Sequence, residues 1–514
     1  MPQEPTVLNL RLPLLLALPL LAPSAGADVV SGLLLDSNGQ PVAGANISAK
    51  NSGGDDVTVL NGSSNALGQF AFTVPSGILD VTFTPPPPPA STALPIEVED
   101  VIVFGATNMG TVVAPAGVSV SGVVRNSIGI PVEGVDIDVV DLTTGDKLDL
   151  SNDQTNAFGQ YAVPCPIGPV ALQFKATNAS IPNLVSQELE LTLTTSLVLA
   201  DLLLENGVHV IGTVVGPGGG PLNNIDVDAQ DSITGEKIYT PGDNTNSAGQ
   251  YDIVVPTGTF DFDYCPPSGV LLTSAEILKV NIAGPTNLGS VQLLNGVVLS
   301  GQILGPDGQP YAGADIDLED PVSGQDFPLC GDSANSNGVY SLVVPTGTWN
   351  VIFEPKGFSE PIGADVNASV VINSNAVLNG SLPNCPFGTS YGSGTGGTGG
   401  LVPALASAGG APRVGNSDYA FALSNALPNT PVILGLSPNQ SGLPLFGGTV
   451  LVDLLSVVSL GGFSSPSGTA NLPFPVAITS NFVGVTIHSQ YFVIDFGAPE
   501  FIAMSNGLST TFCD

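Results

Sequence analysis

Basic residues are nearly missing from this chain. Nine Lys and Arg stand against 44 Asp and Glu in 514 residues, for a formal net charge of −35. Phosphate recognition needs clustered Lys and Arg, so nucleic acid is excluded as a partner. An anionic membrane surface is excluded for the same reason. Histidine is scarce too, with His209 and His488 alone. No H-E-x-x-H or phosphate-binding loop occurs. The G-x-S-x-G match "GTSYG" (388–392) runs into Gly, Ser and Thr with no helical pattern after it, so it makes no strand-to-helix elbow. Long apolar runs are missing after the N-terminus. Mean hydropathy is +0.35, yet no later run approaches the ~20 residues that span a bilayer. Helical periodicity is absent throughout.

What remains is rich in Gly (63) and Pro (45), with short apolar runs between them. That pattern belongs to many short strands joined by tight turns. The N-terminus is the exception. Arg11 precedes "LPLLLALPLLAP", and "SAGA" offers small residues before Asp28, as in a signal peptide cleaved after Ala27. Removing it takes away Glu4 and Arg11, leaving 43 acidic against 8 basic residues. The mature chain is expected outside the cell or on its surface, with no transmembrane segment. Five cysteines, Cys165, Cys265, Cys330, Cys385 and Cys513, suit an oxidising compartment, but the odd count leaves one without a partner in the chain. Cys385 and Cys513 bracket the last domain and are the favoured pair, with free thiols as the alternative.

Internal repeats decide the fold. Strands ending in Gly recur at Gly32, Gly122, Gly212 and Gly301, spaced by 90, 90 and 89 residues. A second phrase, "DNTNSAGQYDIVVPTGTFDFDY" in its third copy, recurs around Gly68, Gly159, Gly249 and Gly338. Its polar half is turn chemistry. Its second half alternates, with Phe260, Phe262 and Tyr264 on one face and Asp261 and Asp263 on the other. Period two marks a strand buried on one side. The equivalent inward sets are Leu79, Val81, Phe83; Val170, Leu172, Phe174; and Trp349, Val351, Phe353. A unit of this length with about seven strands is sandwich-sized.

The expected architecture is all-β: a tandem array of four seven-stranded prealbumin-like β-sandwiches and a C-terminal, jelly-roll-like β domain. The expected boundaries are a signal peptide over 1–27, repeats over 28–116, 117–206, 207–295 and 296–381, a Gly-rich linker over 382–400 and the last domain over 401–514. "SGxVxxxxGxPVxGAxI" followed by "TNxxGxYxxxVPTGTxxVxF" resembles the carboxypeptidase regulatory-like domain, whose fold lies close to carbohydrate-binding-like and Cna B-type domains. That resemblance implies a structural or accessory module and brings no catalytic residues. The "YGSGTGGTGG" entry resembles a C-terminal module of large secreted proteins of some environmental bacteria.

The sequence offers three kinds of candidate site. The first is an acidic ladder, Asp136, Asp138, Asp141; Asp226, Asp228, Asp231; and Asp315, Asp317, Asp320. Within each triplet the first two share a strand face. A loop acid such as Asp243 or Asp332 completes an oxygen cage for Ca²⁺, which takes about six to eight ligands. An acidic solvent face explains the same letters more economically, and the first repeat has Asn46 and Ser48 instead. The second is a sugar face. It needs exposed aromatics, whereas Trp349 aligns with inward residues and Tyr161, Tyr251 and Tyr340 recur at one position. The third is an enzyme, for which a distant carboxylate pair is conceivable but the repeats single out none. Lys50, Lys147, Lys237 and Lys356 do not share one strand position across the four repeats, which argues against Lys–Asn isopeptide bonds. Sequons at Asn46, Asn178 and Asn439 matter only where the source glycosylates them. The expected function is a non-enzymatic secreted or cell-surface structural and adhesion protein, with Ca²⁺ stiffening as a subsidiary idea and an extracellular protein or glycan surface as partner. A carbohydrate-binding array is the runner-up, and an enzyme confined to the C-terminal domain the third.

Overall fold

A computed structural model of the chain describes residues 27–474 and 480–514. The expected signal peptide lies outside the described residues, save Ala27. No helix among them is long and apolar enough to cross a membrane.

The first unit shows how the repeat folds. Its strands are Ala27–Asp36, Asn46–Asn51, Asp56–Val57, Gln69–Pro75, Gly77–Thr84, Ile96–Val103 and Thr107–Ala114. Strands four, one and seven form one sheet, and three, two, five and six form the other. First and seventh strands run parallel, and the other pairs are antiparallel. Units two, three and four repeat this order, with the seventh strand broken into short pieces in units two and four. Each unit has its own apolar core. The inward sets are buried in all four, with one difference: Trp349 is half-buried at the row's end. Its indole N–H donates to the Pro345 carbonyl (3.2 Å), and its ring meets Phe327 edge-on.

The recurring phrases have local causes. The first-strand glycines pair directly with an aromatic on strand four: Gly32 with Phe70, Gly122 with Tyr161, Gly212 with Tyr251, Gly301 with Tyr340. In units one to three the ring lies over the glycine, in the space a Cβ would take; at Gly301 the Leu378 carbonyl lies closer still than the ring. Gly212→Ala is expected to push the Tyr251 ring aside and cost about 1–3 kcal/mol, as overpacking does; chemical denaturation of the full chain measures it. In the polar phrase, the Asn246 side chain accepts the N–H groups of Ala248 (2.9 Å) and Gln250 (3.1 Å). Beside it the buried Thr245 hydroxyl accepts from Ile225 N–H and donates to the Leu222 carbonyl. Thr155 and Ser64 do the same in units two and one, while unit four has Ala334 there.

The sixth strand, at the edge of the larger sheet, carries a β-bulge in units one, three and four. A non-glycine residue sits at positive φ in each: Asp100 (54°), Lys279 (56°) and Ser369 (56°). Its N–H is captured by a side chain of strand five, from Asp80, Asp261 and Asn350 respectively. The outward Asp261 is therefore a structural acid. Unit two has Ala171 at that place, and its sixth strand, Gln187–Leu193, is one residue shorter and pairs without a bulge.

The units meet without free linker. After each unit's seventh strand the chain bridges back to the loop before its sixth: Ala116 to Ala93, Asn206 to Leu184, Asn295 to Leu272, Asn384 to Ile362. The following residue is Gly117, Gly207, Gly296 and then Cys385. Those three glycines lie against the next unit's fourth strand, at the carbonyls of Cys165, Val255 and Val344. Two disulfides also cross joints. Cys265 of unit three is bonded to Cys330 of unit four, and Cys385, at the end of unit four, to Cys513 of the last domain. The second is the pair favoured from sequence; the first was not foreseen. Cys165 is the free, buried thiol.

The C-terminal domain has a five-stranded antiparallel sheet, a three-stranded sheet and a two-stranded hairpin. The sequence expectation of a Gly-rich linker over 382–400 differs from what is found for its second half. Thr389–Tyr391 pairs with the last strand, Ile502–Thr511. Thr398 donates from its N–H (2.7 Å) and hydroxyl (2.5 Å) to Asp495. Glycine is used here for close approach: a Cβ on Gly394 would lie 2.5 Å from the Met504 carbonyl oxygen. Composition alone cannot separate that use from flexibility.

Candidate functional site

The acidic rows sit on the second strand of units two, three and four, whose alternate residues (Ile137, Val139 in unit two) fill the core. Asp136 and Asp138 share the outer face and meet the loop acid Asp153; Asp226 and Asp228 meet Asp243. In each group one carboxylate oxygen per residue lies within 4.8 Å of the others. The third acid of each triplet stands apart. Asp141, Asp231 and Asp320 turn back into the following hairpin, where each accepts backbone N–H groups: Thr143; Ile233 and Thr234; Val322 and Ser323. Those N–H bonds hold the Asp231 and Asp320 carboxyls below the usual range. They are turn caps, placed at the far end of the strand from the clusters.

Lysine occupies both clusters. Lys147 Nζ lies 2.7 Å from Asp138 Oδ1, and Lys175 pairs with Asp138 Oδ2. Asp138 is only 2% exposed. In unit three Lys237 Nζ lies 2.7 Å from Asp228 Oδ1. Lys147 and Lys237 hold equivalent places on the short third strand, opposite Val140 and Gln230. That place in unit four is Asp326, opposite Glu319. On strand five, Lys175 opposes Asp136, Cys265 opposes Asp226, and Glu354 opposes Asp315. The row thus runs from two lysines in unit two, to one in unit three, to none in unit four. The cation beside Glu354 comes from the C-terminal domain. Arg413, 3% exposed, approaches Glu354 (3.3 Å), donates to the Pro355 carbonyl and stacks over the Phe358 ring. The lysines were missed from sequence because only two units share the place, although Lys147 and Lys237 lie one repeat apart. Arg413 carries no local signal.

The charges follow this gradient. Burial pushes the Asp317 carboxyl up to about 7, reinforced by Asp315, Glu354, Asp326 and Asp332. Burial and Asp315 raise Asp332 to about 6. Asp243 is raised to about 6 by burial, against a hydrogen bond from Thr240 and with Asp226 and Asp228 adding to the rise. A carboxyl raised on folding binds its proton more tightly in the folded state. For Asp317 that stabilisation is fully present below about pH 4 and is lost as pH rises through about 7. Unit four is therefore expected to melt higher at pH 5 than at pH 8, and Asp317→Asn to flatten the dependence. Unit one, with Asn46 and Ser48, is the internal control, and hydrogen exchange reports the units separately.

The remaining candidates have structural partners. His209 joins two units: Nδ1 lies 2.6 Å from Asp252 and Nε2 2.9 Å from Asn183. His488 faces Ser509 on the neighbouring strand (2.8 Å) and meets the Tyr391 ring edge-on, and burial lowers its pKa. Tyr161, Tyr251 and Tyr340 are buried, so no sugar platform is built from them. Burial pushes the Cys165 thiol up to about 12.

No protein-family model matches the sequence, and no curated protein matches it. Solved structures do align. The Bacillus anthracis TIE protein is 14% identical over 71% of this chain and 75% of its own, with a TM-score of 0.16. A streptococcal ancillary pilin is 12% identical over 52% of this chain and 99% of its own, TM-score 0.15. BcpA, the major pilin subunit of Bacillus cereus, is 11% identical over 52% and 99%, TM-score 0.14. TM-scores this low carry no argument about this chain. The tandem all-β sandwich architecture stands on the chain's own sheets.

Proposed function

We propose that this chain is a non-enzymatic, extracellular structural and adhesion protein, in which four carboxypeptidase regulatory-like sandwiches form a semi-rigid stalk below a distinct β domain. One observation carries this reading: the same joint recurs after every unit, and disulfides lock the last two. A repeated joint fixes a repeated orientation, which is the property a spacer requires. Two disulfides fit an oxidising compartment, in line with the export signal read in the sequence. Small-angle scattering on the full chain tests it. The expected particle is a rod of roughly 150–200 Å, from 30–40 Å of strand rise per unit. A compact particle with a radius of gyration near about 24 Å, the globular value for this length, overturns it.

Calcium stiffening remains a subsidiary proposal for unit three, supported by the closeness of Asp226, Asp228 and Asp243. There Ca²⁺ has to displace Lys237. In unit two, Lys147 and Lys175 already supply the positive charge. Heating at low ionic strength with CaCl₂ and with EDTA tests it; identical melting curves end the proposal. No observation favours the carbohydrate-binding array.

A further inference from the structure

Four equivalent edge strands border the larger sheets, and three are bulged. A bulge twists an edge away and blocks the docking of another strand. Unit two lacks it: Gln187–Leu193 pairs in unbroken register from Gly168↔Leu193 to Phe174↔Gln187. Among the described residues, its far side has no strand partner. The side chains alternate, with Glu188, Glu190 and Thr192 exposed and Leu189 and Leu191 half-buried. The strand also borders a cleft of about 860 Å³ between units two and three, lined by Glu188, Glu205, Glu236, Asp243 and Tyr239, with Lys237 as its one basic lining residue. The Tyr239 hydroxyl has its pKa raised by burial and then by acids of both units, Asp138, Glu188, Asp243 and Asp136.

We propose that the edge Gln187–Leu193 of unit two accepts an added β-strand from another protein, an extended segment in which Lys or Arg alternates with apolar residues. The backbone supplies the pairing, as in strand addition generally. Side chains supply the selection. Across a new antiparallel pair, facing residues stand about 4.5–5.5 Å apart, so basic residues opposite Glu188 and Glu190 find counter-charges. The alternate apolar residues extend the row of Leu189 and Leu191. A second copy of this chain does not fit, because its nine Lys and Arg are isolated and no two are separated by a single residue. The inference deepens the adhesion reading by naming a partner chemistry. Peptide binding and particle length are separate readouts, so either can fail alone.

The test is titration of the full chain with a synthetic alternating Lys–Val peptide, with hydrogen exchange as the map. Binding is expected to slow exchange across Gln187–Leu193 and to weaken with salt. Glu188→Lys combined with Glu190→Lys is expected to weaken it about tenfold or more. The same peptide N-methylated at alternate amides keeps its charges but cannot pair, and is expected not to bind. Equal binding of the methylated peptide shows attraction by the acidic cleft alone and overturns the proposal. So does an absence of binding, or protection at a bulged edge instead. Self-association of the chain that the double substitution abolishes makes a second copy the occupant, and overturns it too.

Discussion

Replacing Lys147 and Lys175 together with methionine is expected to unfold unit two far below its normal temperature. Asp138 is 2% exposed and both its oxygens face these ammonium groups. Removing them strands a carboxylate in the sheet. Breaking a buried pair from one side costs about 3–5 kcal/mol, which for a unit of this size lowers the midpoint by more than about 10 °C. Adding Asp138→Leu to the double variant is expected to recover most of the loss, since replacing a whole buried pair with apolar residues is often neutral. Hydrogen exchange on the full chain reads unit two apart from its neighbours. A double variant as stable as the parent means that water reaches Asp138 readily, and the ion triad has no structural role.

The second large effect is expected at the Cys385–Cys513 disulfide. It spans 128 residues and ties the end of the last domain back to its entry. The chain-entropy estimate for closing such a loop is about 4–5 kcal/mol, with less delivered in practice. Cys385→Ser with Cys513→Ser is expected to lower the last domain's midpoint by roughly 10–20 °C, measured by calorimetry. Units one and two contain no disulfide and are expected to keep theirs. An unmoved last transition means the domain is held by its core and by Arg413 alone.

Period two made Phe260, Phe262 and Tyr264 legible before any coordinates, because alternation is a property of neighbours in sequence. Gly212 and Tyr251 each recur visibly with the repeat, but that they face each other comes only from the strand register. The pairs Asp136/Asp138, Asp226/Asp228 and Asp315/Asp317 were legible as shared faces, and Asp243 as a loop acid near one of them. Asp141, Asp231 and Asp320 were not separable from them, because a turn cap and a ladder acid are the same letter. What stayed hidden depends on contacts between strands or units. Lys175 reaches Asp138 diagonally from the adjacent strand, which is distant in sequence. Cys265 and Cys330 belong to different sandwiches, and their pairing follows from the joint. The missing bulge in unit two was written at one position, Ala171 against Asp80, Asp261 and Asn350, but only the register shows what that side chain does.

The joint has one more consequence. A stretch of about 90 codons carries a whole sandwich with one half of the contact on either side, so the two cut ends fit each other. Recombination in phase between units whose joint carries no disulfide adds or removes one without leaving a mismatched seam. The reach of the molecule can therefore change in fixed steps across generations. The last two steps are held back, one by the Cys265–Cys330 disulfide and the other by Cys385, which stands where the earlier seams have glycine.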